Sequence, residues 1–539
     1  MAVTNGEGGV GSNQLAPGLE EQVHPDRSLS WFQRHRSSVR LAFILQIVFR
    51  AFSSLLALVW APLLLGSMGK ALYGQFLSFQ SVASLGGLGD LGMGGAVNIQ
   101  VNRLLGQRDH STLQLFLASA RGVFLIMSAT VTAMLLVLAP WFPSWLRFEM
   151  LPGAGSLTGL FALGALGGGL LILSSYITNL NYGCSNLTWP VMPAFLLLQL
   201  SFLGHWLLAR QGSALWVQYI PYVVTAAAGA AFHWIFVRLS HPPLAALWPP
   251  VFERQRLQAL LEKSFWVYLC CLGPGIVVAT DRLLINAGFG AERVTGYQLN
   301  FKLCELALFV ISSATLVSLP KITQWVSSRE AAEQERAARE MARLNKFQTF
   351  VGCAAALVYL MINDTFITLW LGRDYLVPLS WQAAFAANMA VTAAGYAGFF
   401  LSARCGDNGV RIGGIGVALS TLLKVGLSFA AMQAGSILGI ALATVVSQSC
   451  VVLALSWFTF RQMKVSFWHF ALKGWLVSLA VVGLGLALRV SFPPNSVVTV
   501  LWLSVVSVGT LIIVARALDI KLEDVRQEMA AVRSLFAKA

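Results

Sequence analysis

A cluster of polar and charged residues interrupts two consecutive apolar segments of the sequence. Asp281 and Arg282 lie near the end of the first segment. Gln298, Lys302 and Glu305 lie near the start of the second, where helical spacing places them on one face. A charged side chain in the hydrocarbon region of a bilayer costs about 2.5–3.5 kcal/mol, so such groups normally face a protein interior or a wet cavity. The pattern predicts a polar cavity bordered by this cluster.

Ion pairs within the cluster would join the two segments. Adjacent residues on a helix point about 100° apart, so Asp281 and Arg282 are expected to have different partners. An Arg282–Glu305 or an Asp281–Lys302 pair would close a gate at the outer end of the cavity. A local Lys302–Glu305 pair at i, i+3 is the purely structural alternative.

Three further cations lie inside apolar segments and are candidate substrate-binding residues. Arg50 lies about nine residues, or ~13 Å, into the first segment, which is near the middle of a bilayer. Gln46 and Ser54 lie four residues to either side of it, so one helical face is polar. Lys424 has serines at the same spacing and repeats this pattern. Arg121 lies closer to a segment end, where snorkelling to the cytoplasm explains it equally well.

Asp90 is the fourth candidate and lies in the run Gly-Leu-Gly-Asp-Leu-Gly at 87–92. The run matches a dinucleotide-binding fingerprint in letters only, because that fingerprint requires a preceding strand. Its glycines predict close helix packing and local bending instead. A carboxylate at this depth needs water or a cation, and Arg50 and Arg121 are the candidate partners.

Cations outnumber carboxylates at the deep positions, which predicts a cationic cavity suited to phosphate or pyrophosphate. A site for organic cations is expected to have the opposite sign. The residues counted are Arg50, Arg121, Arg282, Lys302 and Lys424 against Asp90, Asp281 and Glu305. Asp364, Lys473 and Arg489 lie near segment ends and are interpreted as interface anchors.

The composition requires the elements that carry these residues to be membrane-spanning helices. The chain of 539 residues is 57% hydrophobic and 11% charged, with a mean hydropathy of +0.69. This composition excludes a soluble globular protein and predicts an all-α polytopic membrane protein with about fourteen spans. The predicted divisions are a tail at 1–40, a bundle at 41–238, a linker at 239–263, a second bundle at 264–459, two additional helices at 460–516 and a tail at 517–539.

The distribution of Lys and Arg predicts that both termini are cytoplasmic. With this orientation the cytoplasmic side carries about five times as many of these residues as the outer side. The asymmetry accounts for much of the net charge of +14, so nucleic-acid binding is not needed to explain it. The longer cytoplasmic connections, 239–263 and 321–346, are predicted to be amphipathic helices at the membrane interface.

The two bundles have the signature of an internal repeat. The first two spans of each half are joined by related sequences, LLLGSMGKALYGQFLSF and LLINAGFGAERVTGYQLNF, at a nearly constant offset of about 222 residues. Gly69 and Gln75 correspond to Gly290 and Gln298. Parallel repeats of about six spans suit a transporter with its substrate site between two bundles.

Several motifs resemble the oligosaccharide and polysaccharide flippases (Wzx-like), whose superfamily also contains lipid II flippases and multidrug and toxin extruders. The resemblance covers roughly residues 40–460. It implies two six-helix bundles that open alternately to either side, a lipid-linked glycan as cargo and a bacterial inner membrane as location. The motifs are YGQFLSF and GLGDLGMGGAV at 73–97, TDRLLIN and VTGYQLNF at 280–301, Pro320, WLGRDY at 370–375 and the pair Asn388 and Gly395.

Three functions are compared on these features. The leading hypothesis is a flippase for a polyprenyl-pyrophosphate-linked oligosaccharide. Cation-coupled drug antiport on the same fold would require an acidic cavity. A membrane-embedded glycan polymerase or glycosyltransferase would require catalytic groups on a substantial outer loop, whereas the outer connections are short and lack hydrolase, metalloprotease and P-loop motifs, so we do not expect an enzyme.

No cofactor or metal site is expected, because the cysteines lie within or beside apolar segments without ligand spacing. Asp90, Asp281 and Glu305 are compatible with coupling to protons, to sodium ions or to the membrane potential, and the sequence leaves that choice open. The expected partners are the lipid-linked oligosaccharide, membrane lipids, and the polymerase and glycosyltransferases of the same pathway.

The orientation gives a first testable prediction. A reporter fused after Arg343 should be cytoplasmic, because it follows the most basic connection, and one fused near Arg293 should be outside. Paired phosphatase and fluorescent-protein fusions measure both positions. Reporters on the same side would contradict the fourteen-span topology.

Overall fold

The computed structural model describes residues 39–86, 90, 92–106, 110–184, 191–240, 254–327, 330–402, 405–491 and 497–520. Every regular element in these ranges is a helix, which confirms the all-α polytopic fold. The tails at 1–38 and 521–539 and most of the linker, 241–253, lie outside the described residues.

The helices of the N-terminal lobe are α1 Val39–Met68, α2 Lys70–Gly86, α3 Met93–Gly106, α4 His110–Leu138, α5 Leu157–Gly183, α6 Val191–Arg210 and α7 Ile220–Ser240. The C-terminal lobe has α8 Arg254–Phe289, α9 Ala291–Ser327, α10 Ala331–Trp370, α11 Leu379–Ala393, α12 Tyr396–Ser402, α13 Gly406–Gln433 and α14 Ile437–Gln462. The additional helices are α15 Lys473–Ser491 and α16 Val497–Ala517. Short helical turns at Phe142–Trp145, Leu215–Gln218, Arg373–Tyr375 and Trp468–Leu472 complete the described elements.

Each predicted span corresponds in order to one helix or to a pair of broken helices. Nine helices in the described part of the chain are long and apolar enough to cross a membrane, or ten if the bent pair α11 and α12 counts as one span. Helices α8 and α9 have the length but carry the charged cluster, which lowers their hydropathy. The span predicted at 73–97 is divided into α2 and α3, where Gly92 has a φ of +71°.

Helices α11 and α12 meet at an angle of 56°. A Cβ atom on Gly395 would lie 2.3 Å from a methyl carbon of Val452 on α14, so only glycine permits this approach. Two hydroxyl groups of α14 also donate to backbone carbonyls at the bend and within α12. Ser456 donates to the carbonyl of Gly395 at 3.1 Å, and Thr459 donates to that of Gly398 at 2.8 Å. The motif glycine at 395 therefore fixes a broken span against α14.

The prediction of separate interfacial helices in the long cytoplasmic connections is wrong for the described residues. Helix α8 begins at Arg254 and continues into its span, and α10 runs unbroken for 40 residues from Ala331. Helix α9 likewise continues past Pro320 to Ser327. The sequence that begins α10 is rich in Ala, Glu and Arg and contains neither glycine nor proline, so nothing interrupts the helix between the polar and apolar parts.

The two lobes contact each other at the end that the sequence predicts to be outside. Thr295 on α9 donates to the carbonyl of Lys70 at 2.7 Å. The Lys70 ammonium donates to the carbonyl of Asp374 at 3.3 Å. Helix α2 crosses α9 at Gly74, where a Cβ atom would lie 1.8 Å from the carbonyl oxygen of Ala291. Glycine therefore permits backbone contact between the lobes.

The additional helices are fixed to the C-terminal lobe by a buried ion pair. Arg489 on α15 is only 5% exposed. Its guanidinium binds the carboxylate of Asp364 and the carbonyl of Leu360, both on α10. Gln382 on α11 donates to the same carboxylate at 2.7 Å. The interpretation of Arg489 and Asp364 as interface anchors is therefore wrong, because position along a helix does not reveal a partner on another helix.

We expect substitution of Gly74 to weaken the contact between the lobes. In Gly74→Val, the new side chain would overlap the backbone of α9 and separate the helices. With cysteines introduced as Lys70→Cys and Asp374→Cys in a variant without native cysteines, the yield of cross-linking by a short bifunctional reagent should fall several-fold. Gly66→Val is the matched control, because a Cβ atom there has no neighbour within 4 Å. An unchanged yield in Gly74→Val would contradict this account of the crossing.

Candidate functional site

A cavity of about 410 Å³ lies mainly within the C-terminal lobe. Helices α8, α9 and α11 to α14 form its wall, and α1 contributes Ser54. Its size is typical of ligand-binding pockets. The polar residues of the wall include Asp281, Tyr297, Gln298, Glu305, Asn388, Thr392, Thr444 and Gln448, and aromatic residues of α9 and α12 complete it.

Asp281 joins four helices at one wall of the cavity. Its carboxylate forms an ion pair with the ammonium of Lys424 on α13, which is fully buried. Tyr297 on α9 donates to Oδ2 of the carboxylate at 2.8 Å, and Thr444 on α14 donates at 3.2 Å. The Lys424 ammonium also donates to the hydroxyl of Ser428 at 3.0 Å. Each of these hydrogen bonds therefore stabilises one of the two charges.

The position of Lys424 differs from the predicted one. The polar face formed with Ser428 is present, but the ammonium lies behind Asp281 and does not line the cavity. Its charge is satisfied by the carboxylate, so in this conformation it is not available to a phosphate group. A paired arrangement is expected at this depth, because an isolated charge in a low-dielectric interior is far more costly than a hydrogen-bonded pair.

A second charged network lies between α8 and α9. Arg282 donates from Nε to Oε1 of Gln298 at 2.8 Å, and Gln298 donates to Glu305 at 2.5 Å. Glu305 also forms ion pairs with Arg282 at 3.6 Å and with Lys302 at 2.6 Å. Asp281 and Arg282 thus have different partners, as their spacing predicts. The alternative Asp281–Lys302 pair is not formed, because Lys424 binds Asp281.

The prediction of a cationic cavity does not match the described wall. Its charged residues are Asp281 and Glu305, and neither Lys302 nor Lys424 lines it. Each carboxylate is compensated by cations of the same lobe, so the wall presents polar groups without an uncompensated charge. Counting charges along the sequence identified members of these networks but could not tell which member of an ion pair faces the cavity.

The charged networks stabilise the C-terminal lobe and do not themselves connect the two lobes. All their ion pairs join α8 to α9 or to α13, or lie within α9. Across the lobes, the hydroxyl of Ser78 donates to the backbone carbonyl of Arg282 at 3.5 Å. In this conformation, the lobes meet at the predicted outer end through the Gly74 crossing, hydrogen bonds of Lys70, Thr295 and Trp370, and a shared apolar core.

The candidates in the N-terminal lobe do not join this site. The carboxylate of Asp90 accepts from the hydroxyl of Ser175 at 2.6 Å and from the backbone N–H of Gly92 at 2.9 Å. Among the described side chains, no lysine or arginine forms an ion pair with it, so the predicted Arg121 partnership is not observed. The side chain of Arg50 lies outside the described part of the structure.

Apart from Gln298, the uncharged polar and aromatic members of the wall were not predicted from the sequence as site residues. Asn388 belongs to a recognised motif, but Gln448 and the aromatic residues of α12 do not stand out in an apolar sequence. Amide and aromatic side chains are common in membrane-spanning helices, so their presence in the sequence does not mark them as site residues. Their relevance appears only when the bend between α11 and α12 places them on one cavity.

Comparison with protein-family models and with curated proteins finds no match. Solved structures of similar fold include a lipid II flippase, MurJ, in an inward closed conformation, with a TM-score of 0.62 and 15% identity over 88% of this chain and 98% of that one. An inward-facing multidrug resistance MATE family transporter gives a TM-score of 0.56 and 12% identity over 80% of this chain and 98% of that one. At these identities the likeness establishes the fold alone, and the chain is a multi-pass membrane protein with the fold that these two proteins share.

The Asp281–Lys424 pair gives a prediction about stability. Lys424→Met leaves a buried carboxylate without its cation, which should lower the free energy of unfolding by about 3–5 kcal/mol. The double variant Asp281→Leu with Lys424→Met removes both charges and should recover most of that loss. Thermal unfolding in detergent compares the variants.

The control for this cycle is the partly exposed Glu340–Arg343 pair on α10, whose side chains are 31% and 24% exposed. Glu340→Gln should change stability by less than about 1 kcal/mol, because solvent screens such pairs. Equal losses in the double and the single variant at Asp281 and Lys424 would show that packing, and not charge compensation, is the source of the effect.

Proposed function

We propose that this protein is a flippase that moves a polyprenyl-pyrophosphate-linked oligosaccharide from the cytoplasmic to the outer leaflet. The observation that carries the proposal is the cavity: a chamber between membrane-spanning helices whose wall carries polar side chains among apolar ones, next to the contact between the lobes. A polar head group needs such a chamber to cross the hydrocarbon region, whereas a polyprenyl chain can remain in the lipid. The motif resemblance to oligosaccharide flippases supports the same cargo.

Alternating access requires that the lobe contact can break and form again. The contact at the predicted outer end consists of the Gly74 backbone crossing, hydrogen bonds such as Thr295 to the Lys70 carbonyl, and buried apolar residues of both lobes, among them Tyr73 and Val294. Cargo that binds the open form more tightly than this closed one would shift the balance between the two conformations. The ion pairs stay within the C-terminal lobe, which can therefore move as one body.

Arg50 is the residue that we propose for the cargo pyrophosphate. Along α1 it precedes Ser54, which lines the cavity, by one helical turn. A guanidinium presents paired donors that match phosphate oxygens. In the predicted topology this position is on the cytoplasmic side of Ser54, which is where the lipid-linked head group would enter.

Export of organic cations is the second candidate function. The specific observation in its favour is that the charged residues of the described wall are the carboxylates Asp281 and Glu305. Each of them is already compensated by Lys424, or by Lys302 and Arg282, so a cationic drug would have to displace an internal partner. This requirement favours an uncharged polar cargo moiety.

The cellular setting belongs to the same proposal. A glycan flippase of this kind would operate in a bacterial inner membrane beside the glycosyltransferases that build its cargo and the polymerase that receives it. Asp90 has only hydroxyl and backbone partners among the described residues, so it is our candidate for binding a coupling proton or sodium ion.

We expect Arg50→Ala to abolish glycan export while the protein still accumulates in the membrane, because the pyrophosphate loses its cation. Arg50→Lys should recover only part of the activity, since an ammonium cannot form the paired contact. The measurement is outer-leaflet glycan in cells, or head-group accessibility in proteoliposomes. Arg461→Ala is the matched control, because Arg461 stacks on Trp457 at the end of α14, away from the cavity. Full activity in Arg50→Ala would remove Arg50 from the site.

A further inference from the structure

The wall of the cavity indicates which part of the cargo it accepts. Resting on the proposed function, we propose that the C-terminal cavity binds the sugar rings of the lipid-linked cargo and excludes its pyrophosphate. An aromatic surface, unpaired amides and internally compensated carboxylates together support this division.

The aromatic surface is formed by α12. Tyr396 and Phe400 have ring centroids 4.6 Å apart, and Phe399 lies 5.3 Å from Phe400. All three line the cavity, and Phe301 of α9 joins them there. The faces of pyranose rings carry C–H groups that pack on the electron-rich faces of aromatic rings. The bend before α12 directs this aromatic cluster into the chamber.

Two carboxamides of the wall have hydrogen-bonding capacity to spare. Among the described residues, Gln448 on α14 has no hydrogen-bond partner. The Asn388 amide oxygen accepts weakly from Thr392 at 3.4 Å, and its amino group has no described partner. Both side chains line the cavity. A carboxamide offers donors and acceptors together, which matches the hydroxyl and acetamido groups of sugars. By contrast, Gln298 is fully engaged with Arg282 and Glu305.

Pyrophosphate is disfavoured in the same chamber. Of the described wall residues none is a lysine or arginine, whereas Asp281 and Glu305 present carboxylate oxygens to it. The cations that compensate them are held within the protein by those carboxylates. An anion placed here would be desolvated in a low-dielectric site without a free cation as its partner, which is strongly unfavourable. The pyrophosphate therefore lies outside the cavity, nearer to α1.

The test compares lipids that differ only in their sugar. The full-length protein in nanodiscs is titrated with geranyl pyrophosphate and with the same lipid capped by glucose or by N-acetylglucosamine, and binding is measured by microscale thermophoresis. Wild type should bind a capped lipid more tightly than the bare one. Gln448→Leu should weaken capped-lipid binding about tenfold, which corresponds to the loss of one good hydrogen bond, and should leave bare-lipid binding unchanged.

Two further variants separate the proposal from loss of folding. Phe400→Leu should reproduce the selective loss by removing a stacking face. Gln462→Leu is the matched control, because Gln462 is exposed at the end of the same helix, α14, and does not line the cavity. The variants must retain wild-type affinity for the bare lipid, which itself reports a folded site.

The outcomes distinguish this inference from the proposed function. Equal affinity of wild type for bare and capped lipids, or equal losses for both in Gln448→Leu and Phe400→Leu, would overturn the sugar subsite while the flippase proposal stands. Binding of the organic cation ethidium with no binding of any of the lipids would overturn the flippase proposal, and the subsite with it. A sugar-selective loss in both variants with an unaffected Gln462→Leu would support the proposal.

Discussion

Charge compensation in a low-dielectric interior is the constraint on which the C-terminal lobe depends. A carboxylate and an ammonium buried in a membrane protein are tolerated only if each is neutralised and hydrogen-bonded. Asp281 and Lys424 meet this requirement with help from Tyr297 and Thr444, and in doing so they fix the relative positions of α8, α9, α13 and α14. The same helices enclose the cavity, so the pair that stabilises the lobe also shapes its polar chamber.

The two halves of the chain begin with related sequences but differ in how the side chains at matching positions are packed. Gly69 and Gly290 occupy matching turns, with φ values of +78° and +85°. The corresponding glutamines diverge: Gln298 lines the cavity, whereas Gln75 is fully buried and donates to the carbonyl of Glu149. In the N-terminal lobe, Phe76 and Phe79 pack against Tyr219 at the level where the C-terminal lobe is open. The equivalent glutamines of the two repeats therefore have different roles, one buried in the N-terminal lobe and the other at the cavity of the C-terminal lobe.

Hydrophobicity was sufficient to predict the spans, because a bilayer requires each crossing to be a long apolar helix. It was not sufficient to predict orientation around the helix axis. Lys424 and Arg489 were recognised as unusual, but their carboxylate partners lie 143 and 125 residues away in sequence, beyond the reach of any local pattern. The prediction of a cationic cavity wall does not match the described residues for the same reason. Asn388 and Gln448 carry no charge and do not stand out in the sequence. Only the folded arrangement of the helices shows that they line the cavity.

The length of α10 has a mechanical consequence. Its 40 residues span about 60 Å, roughly twice the hydrocarbon thickness of a bilayer. The protruding part is packed, with Met341 and Leu344 buried against the extension of α9 and the turn before α15. The C-terminal lobe is thus continuous with a rigid helical extension beyond the membrane. A tilt of the lobe by about 10° would sweep the tip of a ~30 Å arm through roughly 5 Å, so a small rotation at the cavity becomes a larger displacement at the far end of the helix.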